Sequence, residues 1–246
     1  SEKPVKFFVM GENQWRDEEE WPLARAQETR YFLHSNGRAN TLDGDGLLSV
    51  DPPDKEPDDV YVYNPNDPVP TLGGPLCGDL GFLPPGVYDQ RVVESRSDVL
   101  VYTTMPLDRP VEVTGPVVVT LYSSSTARDT DFTAKLVDVS PDGYARNVSE
   151  GIVRARYRTP RVPASLIEPG KVYEYKIDLW STSNLFRVGH KIRLEISSSN
   201  YPRFDRNTNT GKTIGTDDGF LPALQSVRHT GSNASCVYLP VVPRDD

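Results

Sequence analysis

The residues best suited to acid–base chemistry are two aspartates, Asp129 and Asp131, at the start of a predicted strand. Residues two apart on a strand are separated by about 6.6 Å on one face, close to the spacing of the carboxyl pair in glycoside hydrolysis. The same spacing suits a calcium site, and it also arises where carboxylates simply accept hydrogen bonds from turn amides. We favour the turn interpretation and keep the glycosidase and calcium interpretations as weaker alternatives.

Other chemical signatures are missing from the sequence. A serine nucleophile on an α/β sheet needs G-x-S-x-G, and no glycine is followed two positions later by serine. The three histidines, His34, His190 and His229, have no spacing that names a catalytic partner. Neither H-x-x-x-H nor C-x-x-C occurs. The sequence therefore predicts no catalytic residue, no metal and no cofactor.

Composition narrows the function classes further. The 246 residues carry 27 Lys and Arg against 35 Asp and Glu, a net charge of -8, so a basic footprint for nucleic acid is missing. No apolar run approaches the roughly 20 residues that span a bilayer, which argues against a membrane protein. The two cysteines, Cys77 and Cys236, are too few for a disulfide framework, and two unpaired thiols favour a reducing cytoplasm.

The elements that must position these residues are predicted to be strands. The chain has 22 prolines and 18 glycines, which break helices and favour an all-β fold with long loops. Apolar and charged residues alternate in four segments, which predicts half-buried antiparallel strands with the charged face in water. These segments are residues 132–137, 153–158, 172–179 and 191–196. Spaced by turns, they predict a jelly-roll, galactose-binding-like β-sandwich.

The two ends and the long loops complete this prediction. Val5–Met10 is a predicted strand, and the acidic, aromatic stretch Trp15–Pro22 is a predicted loop near a domain boundary. We therefore assign residues 1–24 to a linker or to the tail of an upstream domain, and residues 25–246 to the sandwich. A long loop, Asp51–Asp89, contains one strand at Val60–Tyr63, and Cys236–Val242 is the last strand.

Several segments of the chain together resemble one family of proteins. They include Phe8–Glu18, Asp67–Gly74, Asp89–Arg91, Asp98–Tyr102, Asp129–Val139, Gly151–Arg158, Gly189–Leu194 and Ser197–Asn207. In these segments the chain is similar to the C-terminal β domain of the cocaine esterase and X-Pro dipeptidyl-peptidase family of serine hydrolases. This resemblance implies an upstream α/β-hydrolase domain that carries the Ser-His-Asp triad, and a domain here that is inactive alone.

The resemblance also implies partners and site residues. The loop after Gly74 would approach the active-site mouth, so Leu76, Cys77, Leu80 and Phe82 are candidates for the wall of the acyl pocket. The expected partner is the hydrolase domain of the parent enzyme, whose substrate pocket this domain would shape and whose fold it would stabilise. Self-association is left open. The alternative function is a carbohydrate-binding module, because a jelly roll supports both.

Overall fold

The computed structural model of this chain describes residues 2–76, 81, 83–213, 215–217 and 219–244. Within these residues the regular structure is almost entirely β, which confirms the predicted fold class. The helical elements are short: α1 (Arg91–Glu94) and the 3-10 turns Ala155–Tyr157 and Gly231–Asn233. The strands are β1 (Val5–Val9), β2 (Gln14–Glu18), β3 (Gln27–His34), β4 (Leu47–Ser49), β5 (Asp59–Tyr63), β6 (Leu100–Thr103), β7 (Val111–Ser125), β8 (Asp131–Val139), β9 (Ala145–Arg154), β10 (Tyr173–Phe186), β11 (Lys191–Ser197), β12 (Ala223–Val227) and β13 (Cys236–Val242).

Two groups of strands enclose the core. The first runs β10-β7-β13-β3, with β12 and β5 joined at the far end of β7, and the second runs β6-β11-β8-β9. The short strand β4 joins them, because it pairs with β3 on one side and with β6 on the other. This arrangement agrees with a β-sandwich, while the jelly-roll connectivity stays a prediction.

The core lies between the inward faces of the two groups. Its buried side chains come from both, for example Leu121 and Ile177 from the first group and Leu136 and Leu194 from the second. Across the core, the rings of Phe132 and Tyr175 lie 4.7 Å apart between centroids. Fully burying one such side chain contributes roughly 1.5–3 kcal/mol, so this domain has a hydrophobic core of its own.

The two groups approach each other along a second edge, where β9 meets β10. A Cβ atom on Gly151 of β9 would lie 2.0 Å from the carbonyl oxygen of Asp178 in β10. Only glycine allows the two backbones to come this close. The strands therefore surround the core almost completely.

Two local predictions are wrong. The stretch Trp15–Pro22 is not all loop, because Gln14–Glu18 forms β2 and pairs antiparallel with β1. The predicted strand at residues 153–158 is not continuous, because β9 ends at Arg154 and a 3-10 turn follows. By contrast, the predicted final strand Cys236–Val242 and the strand within the long loop are confirmed.

The charged faces of β8 and β11 are buried, although the sequence predicted that they face water. All nine residues of β8 are buried, and so are six of the seven residues of β11. The alternating charged residues were expected in water, but Lys135, Arg193 and Glu195 are between 4% and 7% exposed. Described residues on either side of residues 77–82, such as Val69, Gln90 and Glu94, lie over them, and we call these residues the covering segment and the charged layer beneath it the ionic layer. No helix in the described ranges is long and apolar enough to cross a membrane.

Candidate functional site

The ionic layer is built on a row of three charged residues on adjacent strands. Strand pairing places Lys135 of β8 directly opposite Glu195 of β11 on one side and Glu150 of β9 on the other. The Lys135 ammonium lies 3.4 Å from the Glu195 carboxylate and 3.9 Å from that of Glu150. Buried charges are costly unless they are paired. The flanking carboxylates therefore balance the buried lysine.

The segment over the layer is hydrogen-bonded to it. Lys135 donates to the side-chain oxygen of Gln90 over 2.6 Å, and Arg193 of β11 donates to Glu94 at the end of α1 over 2.6 Å. Gln90 in turn donates to the carbonyl oxygen of Leu72 over 3.0 Å. These directional contacts fix the position of the covering segment on the sheet.

Glu94 is a strongly perturbed carboxyl group in the ionic layer. Burial and the nearby charge of Glu195 raise its pKa from 4.5 to about 8, although Arg193 opposes the shift. Burial likewise raises the pKa of Glu195. One oxygen of each carboxyl group is buried without a hydrogen-bond partner among the described residues. The pair therefore retains a proton at neutral pH, and that proton belongs to both groups.

The stem of the loop proposed to reach the active site lies on this layer. Gly74 and Gly86 exchange two backbone hydrogen bonds, of 2.8 and 3.0 Å, which close the loop between them. Gly74 has φ +107°, and a Cβ there would lie 2.6 Å from Glu150 Oε1. Glu150 is itself paired with Arg203. The stem therefore favours glycine, and it lies against the ion pair of Glu150 and Arg203.

Of the four residues predicted to form the pocket wall, the structure describes Leu76 alone. Leu76 is half-buried just beyond the stem, and its N–H donates to the Gly74 carbonyl oxygen over 2.9 Å. Cys77, Leu80 and Phe82 lie outside the described residues.

The N-terminal hairpin presents an apolar surface. Phe8 and Trp15 lie opposite each other on β1 and β2, with ring centroids 5.6 Å apart, and they are 39% and 66% exposed. On the other face, Phe7 contacts the ring of Trp21, which is 41% exposed. Neighbouring aromatic side chains exposed in this way are typical of an interaction surface.

The aspartate pair is brought together, but both of its members are engaged. The side-chain N–H of Asn207 reaches both Asp129 and Asp131, over 3.0 and 2.8 Å. Asp131 is paired with Arg154 and Asp129 with Arg156, over 2.8 and 2.7 Å. Both aspartates are 1% exposed. This geometry is that of a structural ion-pair cluster, and the described residues contain no group of acidic, His or Cys side chains suited to a metal ion.

Each histidine is paired with a carboxylate. His34 lies 2.8 Å from Glu56, and His190 lies 2.7 Å from Asp138. The buried His229 lies 2.8 Å from Asp59, which also accepts a hydrogen bond from the Ser35 hydroxyl. Because this serine donates to the aspartate, it is not paired with the imidazole as a nucleophile would be.

The tyrosines argue against a broad sugar-binding platform. A platform needs exposed rings, but several tyrosines are core residues. Tyr61, Tyr63, Tyr102 and Tyr175 are each 3% exposed or less.

Comparison with known proteins agrees with this picture. Residues 1–237 match the family described as the X-Pro dipeptidyl-peptidase C-terminal non-catalytic domain. Cocaine esterase from Rhodococcus sp. (strain MB1 Bresler) is 47% identical over 242 residues, which cover 98% of this chain and 42% of that protein. A putative serine esterase from Mycobacterium tuberculosis (strain CDC 1551 / Oshkosh) is 32% identical, over 83% of this chain and 33% of its own.

Solved structures show the same relationship. An aminopeptidase from a marine sediment archaeon (Thaumarchaeota archaeon) superposes with a TM-score of 0.86 at 29% identity, covering 98% of this chain and 41% of that one. An α-amino acid ester hydrolase gives 0.85 at 28% identity, covering 97% and 41%. The chain thus spans less than half the length of these relatives. It belongs to the X-Pro dipeptidyl-peptidase C-terminal non-catalytic domain family, which confirms the resemblance inferred from the sequence.

Proposed function

We propose that this domain stabilises an α/β-hydrolase domain of the same polypeptide and forms part of the wall of its acyl pocket. The observation that carries the proposal is the stem at Gly74 and Gly86, which is closed by two backbone hydrogen bonds and lies beside Glu150 of the buried ionic layer. The loop residues Leu76, Cys77, Leu80 and Phe82 would contact the acyl group of the substrate. The parent enzyme would cleave esters or amides, as the names of its relatives indicate.

The hairpin supports the stabilising role. Residues 1–24 would belong with the hydrolase domain, and that domain would cover the exposed rings of Phe8 and Trp15. Interfaces within a chain typically bury about 600–1,500 Å², which the hairpin and loop together could supply. The domain studied without its partner would then self-associate through the same surface.

The pocket-wall role is tested by acyl-group selectivity in the full-length enzyme. We expect Leu76→Ala to change the ratio of kcat/KM between a bulky and a small acyl ester by several-fold, because it enlarges one wall of the pocket. Leu221→Ala is the matched control, since Leu221 is a 54% exposed leucine on a different loop. An unchanged ratio in Leu76→Ala would contradict the proposed wall.

The expected inactivity of this domain alone is tested with a nitrophenyl ester. We expect no hydrolysis above the buffer rate from the 246-residue chain. Turnover that a serine-directed inhibitor abolishes would instead reveal a nucleophile within it.

We also propose a cytoplasmic location. The proposal is supported by Cys236, which is a buried free thiol and therefore suits a reducing compartment.

A further inference from the structure

Trp180 is an exposed aromatic side chain on a strained backbone. It is 70% exposed and lies where the pairing of β10 with β7 shifts register between Asp178 and Ser181. Its φ is +64°, a left-handed conformation that non-glycine residues rarely adopt. Its N–H donates to Asp178 Oδ1 over 2.8 Å, which holds the bulge in place. Strained bulges that aim a side chain outward are typical of functional positions.

A cavity of about 310 Å³ lies beside the indole. Its walls include the apolar residues Trp180, Val148 and Pro75, and the paired side chains of Glu150 and Arg203 also line it. Pro75 directly follows the stem glycine Gly74. Trp180 therefore flanks the base of the loop that is proposed to reach the acyl pocket.

The other neighbour of Trp180 along β10 is the N-terminal hairpin. Met10 donates its N–H to the Ser183 carbonyl oxygen over 2.9 Å and accepts from Leu185 over 2.8 Å. Met10 is bridged in parallel to Asn184, so β1 runs back from there alongside β10 toward Trp180. Asn184 lies four residues from Trp180, about 13 Å along a strand. Trp180 thus lies between the hairpin and the loop stem.

We propose that Trp180 is an anchor of the interface with the α/β-hydrolase domain of the same polypeptide. This inference rests on the proposed function, because the hairpin and the loop on either side of Trp180 are the two segments that it places against the hydrolase domain. The partner surface would be an apolar recess that surrounds the indole and holds one acceptor for its N–H. The cavity beside Pro75 would receive an apolar side chain in return.

The size of the relatives supports this choice of partner. Cocaine esterase matches 98% of this chain within only 42% of its own length, so the matching part of that protein is joined to a large further portion of the same polypeptide. Under the proposed function, the surface nearest to that further portion runs from the hairpin through Trp180 to the loop stem. No comparable observation supports a second copy of the domain as the partner.

Hydroxyl-radical footprinting of the wild-type full-length enzyme, read by mass spectrometry, tests the anchor without any substitution. If docking reduces the exposed fraction of Trp180 from 70% to about a tenth, its oxidation should slow roughly sevenfold relative to its intrinsic reactivity. The internal control is Tyr157, which is 51% exposed and lies beyond the far end of β9. Tyr157 should be oxidised at the rate that its exposure predicts.

Three results would overturn the inference. Trp180 could be oxidised as fast as its 70% exposure predicts. Its protection could disappear on dilution, which would assign the surface to a second copy. Its protection could appear only with a bound substrate analogue, which would make it a pocket wall. The Leu76→Ala selectivity experiment is independent of all three, so a failed anchor and a failed pocket wall give different results.

Discussion

Replacing Glu94 with glutamine should change how stability depends on pH. In the folded chain burial and Glu195 raise the Glu94 pKa to about 8, against an ordinary value of 4.5. Between these two values the folded state binds a proton that the unfolded state has lost. The stability that this proton provides is complete below pH 4.5, decreases as the pH rises, and is gone above about pH 8. Glutamine cannot ionise, so the variant lacks this dependence.

The size of the effect follows from the linkage relation. One bound proton changes the folding equilibrium constant by at most about tenfold per pH unit, so the advantage of wild type over Glu94→Gln should fall by up to that factor per unit between pH 5 and 8. The groups that face Glu94 are Arg193 and Glu195 of β11, with Lys135 of β8 beyond them. Because Glu94 and Glu195 share the proton, the pH at which half of this stability difference is lost describes the pair and not Glu94 alone.

The assay is urea denaturation of wild type, Glu94→Gln and Glu12→Gln at half-unit steps from pH 3 to 9. Glu12→Gln serves as the control of opposite sign, because hydrogen bonding to Arg244 lowers the Glu12 pKa. The advantage of wild type over that variant should be present at neutral pH and should shrink in acid. Parallel pH profiles for wild type and Glu94→Gln would refute the shared proton.

Two further predictions concern the frame of the sandwich. Gly151→Ala should destabilise the domain by more than about 1 kcal/mol in chemical denaturation, because its Cβ would lie 2.0 Å from the Asp178 carbonyl oxygen; an unchanged midpoint would mean that β9 and β10 are not in contact. Asp59→Asn should cost about 3–5 kcal/mol, because it leaves the buried His229 without its carboxylate, whereas the exposed control Asp54→Asn should change stability by less than about 0.5 kcal/mol.

The fold class could be predicted from the sequence because its signals are local. Proline and glycine punctuation, together with the period-2 alternation of β10, describe each strand without reference to any other. The prediction of a loop at Trp15–Pro22 was wrong because contacts between two strands, and not a local signal, determine the structure there. The acidic stretch forms β2 because Lys6 and Phe8 of β1 lie opposite Asp17 and Trp15, so that charge and aromatic contacts across the hairpin stabilise it.

The ionic layer could not be predicted in the same way. Alternating charged residues on β8 and β11 look like a face in water, and they are buried only because a segment distant in sequence covers them. The signal that could have revealed the layer is the strand register, which places Glu195, Lys135 and Glu150 in one cross-strand row. A lysine between two glutamates on neighbouring strands is a neutralising pattern, but it is visible only when the pairing is known.

The ionic layer contains charged residues where leucine or valine could also be buried. The reason is that the covering segment must hold the stem at Gly74 and Gly86 in one position on the sheet. Apolar packing is not directional, so it would allow the stem at Gly74 and Gly86 to slide on the sheet. Hydrogen bonds to charged groups are strong and specific in geometry, and Gln90 and Glu94 of the covering segment each make such a contact with the sheet. They fix the stem in register, so the loop beyond it can differ in sequence without moving its base. Such an arrangement suits the proposed role, in which the loop after Gly74 reaches a partner domain.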